Sequence, residues 1–183
     1  ITGTDQQKAT FYTSAYHAAL CPFTYNDADG KFAGLDKNIE QPKEFTNRTE
    51  FSLWDTYRAW NPLMNLVHQD IQADIANSLL AHYDKSVEKM LPFWSFGSNE
   101  TWCMIGYHAA AVLADMICKD VKGFDYQHAF NAMVNTAMNK NYDGLPDYAS
   151  KGYVPFDKEN ESVSKTLEYA FDDYAIAQAA KKL

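Results

Sequence analysis

Residues 51–60 read Phe-Ser-Leu-Trp-Asp-Thr-Tyr-Arg-Ala-Trp, so ten positions hold four aromatics, one carboxylate and one guanidinium. Trp54, Tyr57 and Trp60 offer flat apolar faces. Asp55 and Arg58 stand three apart and would be neighbours on a helix surface. A flat face beside a carboxylate suits a sugar ring, whose C–H faces are apolar and whose rim is hydroxyl. The same residues also suit an aromatic core helix with a local ion pair, and this segment alone leaves both readings open.

Two further segments carry similar chemistry. In Trp94-Ser-Phe-Gly-Ser-Asn-Glu-Thr-Trp-Cys-Met-Ile-Gly-Tyr-His108, Glu100 lies between Trp94 and Trp102. With Ser98 or Asn99 as a cap, Glu100 falls in the first turn of a predicted helix. There it is either a carboxylate favoured by the helix dipole or a pocket carboxylate between aromatic walls. His108, on the same predicted helix, reads as a buried structural histidine. In Ser162-Val-Ser-Lys-Thr-Leu-Glu-Tyr-Ala-Phe-Asp-Asp-Tyr174, Glu168 and Asp172 stand four apart on one helix face, with Lys165 beside them. This is either a charged surface partly neutralised by Lys165 or, if buried, a carboxylate pair in which one pKa rises and general acid chemistry becomes available. Asp173 points to another face.

In their order, FSLWDTYRAW, the Trp94–His108 segment, Gly152-Tyr-Val-Pro and the 162–174 segment resemble the catalytic domain of the glycoside hydrolase family 92 α-mannosidases. The opening FYTSAYHAALCPFTYNDADGKFAG resembles the segment preceding the SLWDT motif there. The resemblance implies an (α/α)6 toroid, of which residues 1–183 would be a partial catalytic domain, the N-terminal half. It implies a secreted or periplasmic, inverting, calcium-dependent exo-α-mannosidase, of α-1,2 type, acting on mannose-containing glycans. The Asp of the family's SLWD motif lies in the pocket for the terminal mannose, and Asp55 matches it. Trp54, Arg58 and Glu100 join Asp55 as substrate-binding candidates. The family's general acid, its paired Asp base and its calcium ligands belong to motifs of the form Thr-Glu-Gly-Asn, Gly-Asn-Glu-Pro and Asp-x-Asp-x-Gly. None occurs in this chain. Catalytic residues and metal ligands are therefore expected outside it, with Glu168 and Asp172 as the only weak internal candidates. A non-catalytic helical carbohydrate-binding or scaffold module, or another (α/α)6 glycosidase or lyase, is the alternative reading.

Composition sets outer limits. The 183 residues are 46% hydrophobic and 15% aromatic, enough for one globular core, and the twelve Tyr and four Trp favour a lined cavity. The net charge of −8, without a Lys/Arg-rich run, argues against nucleic acid and anionic polysaccharides and fits neutral sugars or a divalent cation. No apolar run reaches membrane-spanning length, and no signal peptide is evident. Cys21, Cys103 and Cys118 show no zinc spacing and read as free, buried hydrophobes. Asn26-Asp27-Ala28-Asp29-Gly30 reads as a turn, because Asp36 stands where a calcium loop needs its Glu. Ile1 at one end and a helical pattern running to Leu183 at the other make both ends read as cut, with the rest of a parent chain or self-association as partner.

Hydrophobic spacing predicts helices over 6–20, 52–60, 63–84, 99–119, 126–140 and 162–182, with irregular segments at 22–50, 86–99 and 141–160. A short hairpin within 22–50 is left possible. Val163, Leu167, Phe171 and Tyr174 form the stripe of the last helix, one side of which needs neighbours beyond these residues. The fold class is all-α, with about six helices forming part of an (α/α)6 toroid.

Overall fold

A computed structural model describes residues 1–42 and 44–183. Among these described residues are eight helices: α1 (Asp5–Ala18), α2 (Leu53–Thr56), α3 (Trp60–Val67), α4 (Gln69–Lys85), α5 (Ala109–Cys118), α6 (Tyr126–Ala137), α7 (Leu145–Lys151) and α8 (Ser162–Lys182). Six two-residue strands form three antiparallel ladders. β1 (Phe23–Thr24) pairs with β4 (Arg48–Thr49), β2 (Phe32–Ala33) with β3 (Ile39–Glu40), and β5 (Ser95–Phe96) with β6 (Asn99–Glu100). The all-α expectation holds, and the hairpin left possible in 22–50 is present as two such ladders.

The core centres on α5. Its run Ala109-Ala110-Ala111 and Ala114 lets neighbouring helices approach closely, while Val112, Leu113, Met116 and Ile117 fill the space; all are buried. The most extensive helix–helix packing in the chain is that of α8 on α5. α4 contributes Ile75, Ala76, Leu79, Leu80 and Tyr83, a stripe at helical spacing. α1 has no buried residue. A capping box between Thr4 and Gln7 starts it, and Trp60 Nε1–H donates to Ala18 O at 2.7 Å to hold its far end.

Several boundaries differ from the sequence reading, each for a local reason. The helix predicted over 99–119 begins at Ala109, and Glu100 lies in β6 instead of a first helical turn. Its carboxylate accepts the backbone N–H groups of Phe93 (2.9 Å), Trp94 (3.0 Å) and Trp102 (3.0 Å). Trp102 (φ 56°), Met104 (φ 71°) and Gly106 (φ 82°) are left-handed, which excludes a helix there. The predicted helix over 52–60 shortens to α2, and that over 63–84 is broken at His68 (φ −146°, ψ 62°) into α3 and α4, with Pro62 in the first turn of α3, where its missing N–H has no intrahelical role. Leu145-Pro146 was expected in a loop. It opens α7, for the same reason that proline suits a helix start.

The cysteines are free, but all three are exposed rather than buried. On α8 the apolar stripe faces out, Val163 being 72% and Leu167 66% exposed, and the inward face is Lys165, Tyr169, Asp172 and Ala179. Three of these four are polar, and each of the three finds a polar partner on another segment. Among the described residues no helix is long and apolar enough to cross a membrane.

The Glu100 clamp has a consequence for acid stability. His82 on α4 lies with Nε2 3.5 Å from Glu100 Oε2, yet burial pushes its imidazole down from 6.5 to about 4. Three amides already draw on the Glu100 charge, which leaves little to hold a proton on His82. The unfolded chain therefore binds a proton at His82 that the fold refuses. This stability is complete above pH 6.5 and is lost as pH falls toward 4, up to about 3 kcal/mol. Denaturant titrations of the wild type and His82→Gln across this range should show a shallower loss in the variant. Parallel profiles would refute the assignment.

Candidate functional site

Three elements converge on one carboxylate. Glu168, on the second turn of α8, is 18% exposed at its side chain. Its Oε1 accepts Trp54 Nε1–H at 3.0 Å, and its Oε2 accepts the Tyr57 hydroxyl at 3.3 Å. Arg58 Nη2 lies 3.6 Å from Oε1. The guanidinium also sits 4.5 Å from the centre of the Trp54 ring and 4.8 Å from that of Tyr57, and its Nε–H donates to Trp54 O at 3.0 Å. One α8 carboxylate thus fixes an indole edge, a phenol and a cation supplied by α2 and the turn after it. Arg58 is stacked on the aromatics and paired with Glu168, where the sequence spacing suggested Asp55.

Behind Glu168 lies a sealed layer. His108 precedes α5 and is 1% exposed; its Nδ1 is 2.8 Å from Asp172 Oδ1, and Asp172 is wholly buried. The other Asp172 oxygen accepts Tyr107 N–H at 2.7 Å. Burial raises the Asp172 carboxyl above its usual range, with His108 and the Tyr107 amide pulling the other way. His108 Nε2 lies 3.3 Å from Glu168 Oε2, but off the line a hydrogen bond needs, so this buried nitrogen has no hydrogen-bond partner among the described residues. Tyr57 stacks on the imidazole with centroids 4.1 Å apart and planes 17° apart. Next to it, Tyr107 O–H donates to Asp173 Oδ1 at 2.7 Å and Tyr148 O–H to Oδ2 at 3.2 Å. Burial first, then Asp173, pushes the Tyr148 phenol up to about 12. Burial first, then Glu168, also raises Tyr57.

The sequence candidates are distributed unevenly around this cluster. Trp54, Arg58 and Glu168 are brought together. Asp55 sits on the same turn with an exposed side chain; among the described residues its carboxylate takes one side-chain hydrogen bond, from the Ser52 hydroxyl. Asp172 is at the hub but sealed from solvent. Glu100 is committed to loop amides, with its side chain 3% exposed, and does not face the cluster as an open pocket carboxylate. Lys165, expected beside Glu168 and Asp172, instead joins Asp143 (2.5 Å) and Glu159 (3.1 Å). Burial works against its charge, and these two carboxylates more than offset it, raising its pKa. The sequence reading presents Tyr57 as a flat apolar face but not as a partner of Glu168, and it misses Tyr107. The available signal was Tyr57 three positions after Trp54 and Tyr107 immediately before His108.

The indole of Trp54 also lines a cleft of about 380 Å³ with Trp102, Met104, Tyr142 and Lys165. On the other side of the segment, Tyr57 and Arg58 line an apolar groove of about 550 Å³ with Phe171 and Tyr174. The arrangement can present flat apolar faces, a fixed cation and a polar rim to a neutral ring. Among the described residues no three His, Cys, Asp or Glu side chains converge to hold a metal ion. The described residues therefore do not themselves supply a carboxylate cluster for a calcium centre.

Comparison with known proteins places this geometry. Residues 1–183 match the glycosyl hydrolase family 92 catalytic domain. The chain is 72% identical to a family GH92 alpha-mannosidase, BT3965 from Bacteroides thetaiotaomicron, with a TM-score of 0.98, covering 100% of this chain and 24% of that one; a second structure of that protein is a complex with mannoimidazole. A family GH92 inverting mannosidase from the same organism, BT2199, is 28% identical with a TM-score of 0.85, covering 99% of this chain and 25% of that one. Comparison with curated proteins gave no match. The chain thus spans about a quarter of the length of these solved relatives, and it shares their helical (α/α)6 type of fold. On the match along all 183 residues, the chain belongs to glycosyl hydrolase family 92, within its catalytic domain.

Proposed function

We propose that this chain supplies part of the substrate pocket of an inverting exo-α-mannosidase that removes terminal α-mannosyl residues from glycans. The observation that carries the reading is the wall built by Trp54, Tyr57 and Arg58 around Glu168, on a chain 72% identical to an alpha-mannosidase whose structure was solved with mannoimidazole. An inverting mechanism needs an acid and a base far enough apart to admit a water. Asp172 is sealed and Glu168 is surrounded by donors, so neither is free for that work. On this reading the reacting carboxylates lie elsewhere in the polypeptide. So do the ligands of the calcium ion, which would hold and polarise sugar hydroxyls. A preference for α-1,2 bonds and a secreted or periplasmic location belong to the same proposal.

Asp55 is the pocket carboxylate in this scheme, open to solvent beside Trp54 and able to accept sugar hydroxyls. Asp55→Asn in the full gene product should lower kcat/KM on an α-mannoside roughly 10- to 150-fold, the worth of a charged hydrogen bond, without changing the melting temperature. Unchanged kinetics would remove Asp55 from the pocket. Residues 1–183 alone should hydrolyse no α-mannoside, with or without calcium. Turnover by this chain that disappears in Glu168→Gln would show that the catalytic carboxylates are here after all.

A further inference from the structure

We propose that Asp172 and His108 are positioning residues for the carbohydrate pocket, acting through Glu168 on Trp54 and Tyr57. This rests on the pocket reading given above. Neither residue can touch a sugar, since Asp172 is 0% and His108 1% exposed. Their contacts nevertheless run without a gap from the sealed core to the aromatic wall. Asp172 is itself held by the Tyr107 amide and takes the Nδ1 side of the imidazole at 2.8 Å. Tyr57 covers the ring. At Gly106 an added Cβ would stand 2.4 Å from Nε2 and 2.6 Å from Cε1, so the backbone passes against the ring edge where a side chain would sit. The imidazole is therefore fixed in position and in plane, and its remaining nitrogen lies 3.3 Å from Glu168 Oε2, off the line of a hydrogen bond.

That ring edge, with Tyr57 stacked on the ring face and donating to Oε2, bounds the Glu168 carboxylate on one side. Glu168 is thereby held at one orientation, in which Oε1 receives the indole N–H and Oε2 the Tyr57 hydroxyl. The charged groups facing the contact are Asp172 on α8 and Arg58 after α2; Tyr57 is the titratable neighbour that stacks on the ring. A tryptophan has a single N–H handle, so fixing that edge fixes the plane its face presents to a ligand. Loss of any link frees a Glu side chain with several rotatable bonds and, with it, the angle of Trp54.

A double-mutant cycle in the full gene product tests this, with mannoimidazole as the probe and calorimetry as the readout. Asp172→Asn, His108→Gln and Glu168→Gln should each weaken binding by roughly tenfold or more, as expected for loss of a charge-assisted hydrogen bond. Asp172→Asn/Glu168→Gln and His108→Gln/Glu168→Gln should bind no worse than Glu168→Gln alone, because each removes the same chain of contacts. Additive losses would overturn the proposal, as would a lowered melting temperature in His108→Gln with unchanged affinity. The His108 cycle decides the matter if Asp172→Asn does not fold. If the wild-type protein does not bind mannoimidazole at all, the pocket reading falls and this proposal falls with it; additive losses in a wild type that binds sink the positioning role alone.

Discussion

The Asp172 carboxylate, buried completely where α8 crosses onto α5, is the constraint on which the rest of the structure depends. A carboxylate without water is tolerable only when both oxygens are matched, and the Tyr107 amide and the His108 ring do this. Removing one partner from such a pair costs about 3–5 kcal/mol, a large share of the 5–15 kcal/mol that holds a whole domain. The requirement sets the register of α8 against the start of α5 more sharply than the alanines of α5 can, because small apolar residues tolerate sliding. Once Asp172 is seated, Glu168 one turn earlier must emerge beside Trp54, and Tyr169 must turn inward, where its hydroxyl donates to Asp143 O at 2.7 Å.

The inward face of α8 is thus a row of polar groups, each with an address in another element. Lys165 reaches Asp143 and Glu159, Tyr169 reaches Asp143, and Asp172 reaches His108. The pairings with Asp143 and His108 tie α8 to segments distant in sequence. Of the outward apolar residues of the same helix, Phe171 and Tyr174 line the groove with Tyr57 and Arg58, and Val163 and Leu167 are exposed. For a molecule whose solved relatives are about four times as long, an outward apolar face and an inward polar one divide the labour of this helix. The polar side orders what is described here, and the apolar side is open to further contacts.

Local periodicity made much of this legible in the sequence. α6 and α8 appear near their predicted limits because their spacing is helical over many turns, while the helix predicted over 63–84 keeps only its far end, as α4. Periodicity failed where a side chain took over the work of the backbone. Glu100 satisfies three amides by itself and so permits a non-helical path through 101–106 that no propensity would favour. α7 was hidden by Leu145-Pro146, which serves a helix start as well as a turn. The pocket wall was legible as a list, in Trp54, Arg58 and Glu168, but not as a connection. Trp54 and Glu168 are 114 residues apart, and nothing local announces that they meet. Asp172 was visible as the partner of Glu168 at four-residue spacing; that a histidine would stand between them was not.

Gly106 gives this arrangement an evolutionary handle. Its left-handed backbone and the space occupied by the His108 ring jointly admit only hydrogen at that position. The two residues are therefore bound in a single inheritance: a lineage that keeps the imidazole must keep the glycine, and one that gains a side chain at 106 must first have given up the ring. Paired loss or retention of these two positions, two apart in the chain, would record in sequence alone which descendants still carry the buried hub and which have rebuilt it.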